Sequence, residues 1–462
     1  MTGFHLSRRN FLLGSSALAG GFMLGGRALA QQEPAAADLV GGPNWTPPDL
    51  SGQTVRMWGL NYAPHVERYQ MLISKFQELT NGTVTLEPQD GSSIVSSALT
   101  SLASRNPPDV LCLMGRMSDG LVKQGGLIDV RQSVYGDLGI DNAAWWFPEA
   151  LGAYSWGEAI HGVPVEGNAH SGVSVRLDLV AAAGADLAWP GAVADGERNE
   201  LSAAFESYDQ MFEFAARLQN KDSSPVVWGQ NRQGWELLNI ATMMEQLGTN
   251  WFDEQSGQFA FDSDACVEAL NYLVTKPYEL GIESKLGLGH VVNVFAAGQS
   301  ALGIGNDAAA GEATAVGLSA TNVVLPSLVA GQAPKFVGEG GWGFEIPVGA
   351  KNEAGAVEFL KFMTTYDAQF IWSGIYGGMT PACRPVAKSS IYSGDGPLSQ
   401  GQRRLHTAGP NTRFMGHGWD PQINEMVQPI VDLLREGKST PKDTAAELQR
   451  QLTAQQQRFA RS

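Results

Sequence analysis

Cysteine is scarce in this chain, and so is positive charge. Three cysteines, Cys112, Cys266 and Cys383, stand in 462 residues. That excludes a disulfide framework and leaves room for one bridge at most. Cys112 sits inside the apolar run Val110-Leu111-Cys112-Leu113-Met114, which reads as a buried strand, and all three thiols are expected to be free. Lys and Arg number 31 against 47 Asp and Glu, a formal charge of −16. With no Lys/Arg-rich run, the chain is a poor partner for nucleic acid or an anionic membrane.

Catalytic and cofactor motifs are missing as well. There is no G-x-S-x-G, no H-E-x-x-H, no G-x-x-x-x-G-K-[ST] and no C-x-x-C, and the seven histidines form no close ligand pair. No metal and no cofactor are therefore expected. The paired carboxylates of a glycosidase are spaced in three dimensions rather than along the chain. The sequence thus supplies no support for an enzyme without excluding one. Gly338, Gly340 and Gly343 fit G-x-G-x-x-G on paper. A dinucleotide fingerprint must open a helix, whose N-terminus binds the pyrophosphate. Here Gly343 runs into Phe344-Glu345-Ile346-Pro347, a strand pattern. Gly303-Ile304-Gly305-Asn306-Asp307-Ala308 is a second loose match without a surrounding βαβ unit. Neither is read as a nucleotide site.

The first thirty residues read as an address. Ser7-Arg8-Arg9-Asn10-Phe11-Leu12 is a twin-arginine pattern, and Ala28-Leu29-Ala30 is a small-x-small cleavage signal. The apolar stretch between them is Gly/Ala/Ser-rich and too short to span a bilayer comfortably. No cysteine lies near the cleavage point to carry a lipid. A soluble, periplasmic mature protein is expected. Its formal charge falls to −19, because the signal holds Arg8, Arg9 and Arg27 and no acid. At roughly 430 residues it has length for two or three domains.

After a Pro/Gly-rich leader, strand and helix patterns alternate. Thr54 to Trp58, Val84 to Leu86 and Val110 to Leu113 read as strands, with helices over His65 to Leu79 and Ile94 to Ala103 between them. Val66, Tyr69, Leu72, Ile73 and Phe76 carry the three-four spacing of an amphipathic helix, and Asn81-Gly82 closes it. This rhythm predicts a parallel sheet with right-handed crossovers. Further strands are expected at Ile160 to Pro164, Val173 to Arg176, Ala301 to Gly305, Val323 to Leu325 and Phe344 to Pro347. Helices are expected over Tyr208 to Leu218, Gly234 to Leu247, Ala354 to Met363, Pro421 to Leu434 and Pro441 to Leu452.

An ordered set of short segments resembles the extracellular solute-binding proteins, family 1, of bacterial ABC importers, whose best-known members bind maltose and other sugars. Phe76-Gln77-Glu78-Leu79-Thr80-Asn81-Gly82 resembles the end of that family's first helix. Ala103-Ser104-Arg105-Asn106-Pro107-Pro108-Asp109-Val110 resembles its A-x-G-x-x-P-D-V segment, with Arg105 where glycine is usual. Gly125 to Val130, His161 to Pro164, Gly298 to Leu302, Gly340 to Ile346 and Gly437 to Ala445 follow in the family's order. The resemblance implies an α/β, two-lobed periplasmic binding protein of the maltose-binding (type II) kind, with the ligand in a cleft between lobes. By that analogy the first lobe is 45–165 plus 340–390, and the second is 166–339 plus 391–462. A monomer delivering its ligand to a membrane permease is implied too.

Cleft residues in such folds come from loops at strand ends. A sugar needs flat apolar faces for its C–H side and polar groups for its hydroxyls. Candidates are Trp58, Asn61 and Tyr62 after the first strand, Asp90 after the second and Arg116 after the third. Glu166, Asn168 and His170 form a polar run at the crossover, and Asn306-Asp307 follows a later strand. Gly340 and Gly341 would let the backbone approach a ligand on which Trp342 stacks, although Trp342 as core packing reads equally well. The resemblance adds Trp419, in a glycine-flanked aromatic segment near the last helices; Trp228 and Trp235 read as core. A carbohydrate or polyol is the expected ligand. A polyamine, which would need carboxylates among aromatic walls, or a phosphorylated compound, which would need converging donors, stands as the alternative.

Overall fold

The structure, a computed structural model, describes residues 39–91, 93–167, 172–184, 204–232, 234–305, 308–374, 379–389, 392, 396–408 and 412–461. The expected export signal, and Asn168, His170, Asn306 and Asp307, lie outside the described residues.

The chain opens with strand β1 (Thr54–Leu60), helix α1 (Ala63–Thr80), β2 (Thr83–Gln89), α2 (Ile94–Ala103) and β3 (Val110–Met114). The face of α1 carrying Tyr69, Leu72, Ile73 and Phe76 is buried, as its spacing requires. Asn81 ends the helix in the left-handed region at φ 56°, a conformation asparagine tolerates better than most residues. Arg105 also sits at φ 56°, where glycine is favoured because it has no Cβ to clash. That is the position at which the sequence departs from the family's glycine.

Strands β1, β2 and β3 run parallel, with Trp58 opposite Glu87 and Met57 opposite Val110. Short β4 (Gly162–Pro164) follows, and the chain crosses to β5 (Gly172–Arg176). The next stretch holds α3 (Tyr208–Leu218), β6 (Trp228–Asn231), α4 (Glu236–Gln246), α5 (Val291–Ala296), β7 (Ser300–Ile304), α6 (Ala309–Ala315) and β8 (Ala320–Val324). The chain returns as β9 (Trp342–Glu345) and α7 (Glu353–Met363), and ends in α8 (Ile423–Arg435) and α9 (Pro441–Arg461).

These strands make two separate sheets. One has the order β2-β1-β3-β9-β4 and the other β8-β5-β7-β6. Strand β9 is antiparallel to both β3 and β4, so the first sheet is mixed rather than wholly parallel. The departure follows from chain routing, since β9 re-enters from the other lobe. Each sheet carries its own core. One joins residues between 50 and 165 to residues between 342 and 392, around Phe76, Phe344, Phe359 and Trp372. The other joins 173–337 to 405–452, around Trp251, Phe261 and Trp419. All three cysteines are free and buried. Among the described residues, no helix is long and apolar enough to cross a membrane.

Candidate binding site

Between the two sheets lies a cleft of about 390 Å³, within the usual range of small-molecule sites, roughly 300–1,000 Å³. The first lobe contributes Leu60 and Tyr62 after β1, His65 from the first turn of α1, Met114 at the end of β3, and Gly341 and Trp342 at β9. The second lobe contributes Trp235 before α4, and His290, Val292 and Asn293 at the start of α5. Ala308 and Glu312 at α6 complete its wall. Glu166 and Glu339 stand where the chain passes between lobes, and Met379 of the first lobe completes the lining.

On the first lobe, His65 is 3 % exposed and sits in a bed of rings. Trp342 lies edge-on to it at 4.6 Å, with Trp372 at 5.3 Å and Tyr62 at 5.5 Å. Its Nδ1 has no hydrogen-bond partner. Burial, and secondarily the charge of Arg68, holds the imidazole well below its usual pKa, so it is neutral at neutral pH. Burial also pushes the Tyr62 hydroxyl up to about 12, and the charge of Glu312 on the opposite lobe adds to the shift. Behind this wall Arg116 forms a buried ion pair with Glu339.

Gly341 lies at φ 59°, and a Cβ there would come within 2.4 Å of the Glu166 carbonyl oxygen. The glycine is thus required where the crossover segment passes over β9, and it also lines the cleft. On the second lobe, Trp235 is half-buried and packs edge-on to His290 at 5.2 Å. Burial raises the Glu312 carboxyl above its usual range, the charge of Arg68 opposes this, and that of Glu67 adds to it. Among the described residues the lining holds three carboxylates and no lysine or arginine, and no His/Cys/Asp/Glu group can hold a metal ion.

Of the sequence candidates, the structure brings Tyr62, Glu166, Gly341 and Trp342 together at the cleft. Arg116 stands one step behind, on Glu339. Trp58 goes elsewhere: its half-buried indole donates to Glu87 at 2.7 Å across the parallel pair. Asn61 and Asp90 are exposed and outside the lining. Trp419 is fully buried in the second core, edge-on to Trp251 at 5.6 Å, its indole donating to the Gly416 carbonyl. It is a core residue rather than a cleft one, because the turn Gly416–Gly418 folds it under α8. Trp235 is corrected in the opposite sense, from core to cleft wall. His65, His290, Asn293, Glu312 and Glu339 were not anticipated. Their positions at helix first turns and lobe crossings are the signal that was available.

The lobes also meet away from the cleft. Asp119 accepts from Trp156 Nε1 at 2.7 Å, lies 2.7 Å from His417 Nδ1, and accepts the Gly418 amide at 2.8 Å. Trp156 and His417 rings lie 4.2 Å apart.

Two α/β lobes joined by several chain crossings, with a cleft walled by both, define a solute-capturing protein. Solved structures of that kind share the fold. A Thermotoga lettingae ABC transporter solute-binding protein bound to α-D-tagatose is 17 % identical with a TM-score of 0.68, covering 87 % of this chain and 100 % of its own. The Bdellovibrio bacteriovorus maltose/maltodextrin-binding domain MalE with maltotriose is 14 % identical at 0.68, with 87 % and 99 % covered. UgpB of Mycobacterium tuberculosis with glycerophosphocholine is 17 % identical at 0.67, with 88 % and 99 % covered. No curated protein matches by sequence. The bacterial extracellular solute-binding protein family matches residues 71–396, and this chain belongs to it.

Proposed function

We propose that this protein binds a carbohydrate or polyol in the cleft between its lobes and delivers it to an ABC transporter permease, acting as a carrier and not as an enzyme. The observation that carries the reading is the cleft itself. The rings of Trp342, Tyr62 and Trp235 and the polar side chains of Glu166, Glu312 and Asn293 line it from both sides. Neighbours of the same fold hold tagatose and maltotriose. The lobe bounds are proposed as 45–165 with 340–390, and 166–339 with 391–462; the two separate cores support that division except at Tyr392, which packs in the first core. The N-terminal thirty residues direct export to the periplasm by the twin-arginine route, and the carrier works as a monomer.

A ligand that binds only the folded state must raise its melting temperature. A thermal-shift screen over sugars, polyols, sugar acids and polyamines tests the reading. A saturable shift with a sugar or polyol is expected, and its absence across both classes would refute it. Turnover of an oligosaccharide by the purified protein would instead establish an enzyme.

A further inference from the structure

We infer that Asp119 is the pivot on which the two lobes turn, a contact outside the cleft that fixes how they stand to one another. Such a contact acts whatever the cleft binds. The donors around this one carboxylate divide between the lobes. Asp119 is buried in the short helix Asp119–Lys123 that follows β3 in the first lobe. Trp156 Nε1 reaches it from the same lobe, whereas His417 Nδ1 and the Gly418 amide reach it from the second. A buried carboxylate must keep its donors, so parting the lobes here strands it. The cations nearest in the chain are engaged elsewhere, Arg116 with Glu339 and Lys123 with the Phe459 carbonyl.

Packing points the same way. The His417 ring lies 4.2 Å from that of Trp156 and 4.7 Å from that of Phe414, with its Nε2 3.4 Å from the Gly152 carbonyl oxygen. A side chain of the second lobe is thus seated among Asp119, Gly152 and Trp156 of the first.

Position agrees as well. Phe336–Gly338 pairs with Thr412–Phe414 as a ribbon of the second lobe, and β9 begins at Trp342 in the first. Glu339, Gly340 and Gly341 alone carry the chain across, the two glycines at φ 92° and 59°. A Cβ at Gly340 would come within 2.5 Å of the Ala153 Cβ and 2.9 Å of the Phe414 ring, one from each lobe. His417 stands just beyond that ribbon, beside the crossing. Lobes with separate cores move about a few residues where the chain passes between them. Atoms beside a crossing shift little in such a rotation, so these hydrogen bonds persist while the cleft opens and shuts. Neither Trp156 nor His417 lines the cleft, and nor does Asp119.

Double electron–electron resonance on the ligand-free protein tests this. Spin labels go on Met71→Cys of α1 and Val316→Cys just after α6, exposed positions on opposite lobes; the native thiols are buried. Asp119→Asn keeps the shape of the side chain but turns an amide toward one of the donors. His417→Phe keeps the ring and loses the bond to Asp119. A single narrow distance distribution is expected in the parent, and each variant should broaden and shift it. The double variant should be no broader than the broader single, because both changes break one contact. A role confined to one lobe lowers that lobe's stability and leaves the distance between lobes alone. No change in either single variant, broadening in only one of two folded variants, or additive broadening in the double would overturn the pivot. Should one single variant not fold, the other decides.

Discussion

On the first lobe the cleft wall is the surface of a finished core: Trp342 and His65 are 7 % and 3 % exposed and packed against Tyr69, Trp372 and the sheet beneath. On the second lobe, Trp235 and His290 lean on each other at the mouths of short helices, half-buried, and Glu312 stands beside them half-exposed. The first wall is held by the first lobe's own packing, whereas the second leaves its polar groups partly open to solvent. A ligand shifts an equilibrium between open and closed lobes only by its differential affinity for the closed state. On the proposed binding function, the second wall is where specificity would be decided, and the first where stability and binding would share the same atoms.

The largest expected effect breaks or confirms that sharing. Trp342→Ala removes a nearly buried indole from the first core and should cost roughly 3–5 kcal/mol of stability, with binding weakened at least tenfold. Trp235→Ala should weaken binding by a similar factor at about 1 kcal/mol or less in stability, since a half-buried ring leaves little cavity behind. Apo melting temperatures and dissociation constants of both variants decide the matter. Equal stability losses would erase the difference between the walls.

The sequence conveyed most of the fold and part of the site. Helices over Ile94–Ala103 and Tyr208–Leu218 have the bounds their periodicity indicates, because local spacing and burial agree there. Aromatic residues near strand ends were less legible. Alternation along β1 sends Met57 inward and leaves Trp58 to pair with Glu87, but nothing local says which face looks into a cleft. His65 and Glu312 come together only when two lobes, separated by more than two hundred residues, are apposed. No pattern in either segment encodes the other.

A second contrast sets a buried acid of the first lobe against the cleft acid of the second. Glu345 on β9 is fully buried, accepts from Ser118 at 2.5 Å, and has its pKa pushed by burial to about 8. The unfolded chain sheds this proton near the ordinary value of 4.5, while the folded protein keeps it until about 8. Between those values the folded state binds more protons, so stability falls as pH rises, by up to about 1.4 kcal/mol per unit. This group's contribution is highest below the ordinary value and levels off once the folded carboxyl has ionised. Glu345→Gln removes the titration and should flatten this decline. Denaturant unfolding at pH 5, 6.5 and 8 measures it, and an undiminished slope in the variant would place the pH dependence elsewhere.

The smallest effect is on Glu312, and it is the most telling for the comparison. Its carboxyl is raised in the same direction by burial, with Glu67 adding and Arg68 opposing. The sign is therefore the same: the ligand-free protein loses a little stability as pH rises through and above the ordinary carboxylate range. Solvent still reaches this side chain, and screening keeps such terms below about 1 kcal/mol. Glu312→Gln should accordingly leave the ligand-free protein equally or slightly more stable at pH 7, with a weaker fall in melting temperature between pH 4 and 7. A group that burdens the empty protein and serves the loaded one marks a wall completed by its ligand. If Glu312→Gln instead destabilises the empty protein as a core substitution would, the second wall is preset like the first, and lobe closure cannot be what gives the cleft its selectivity.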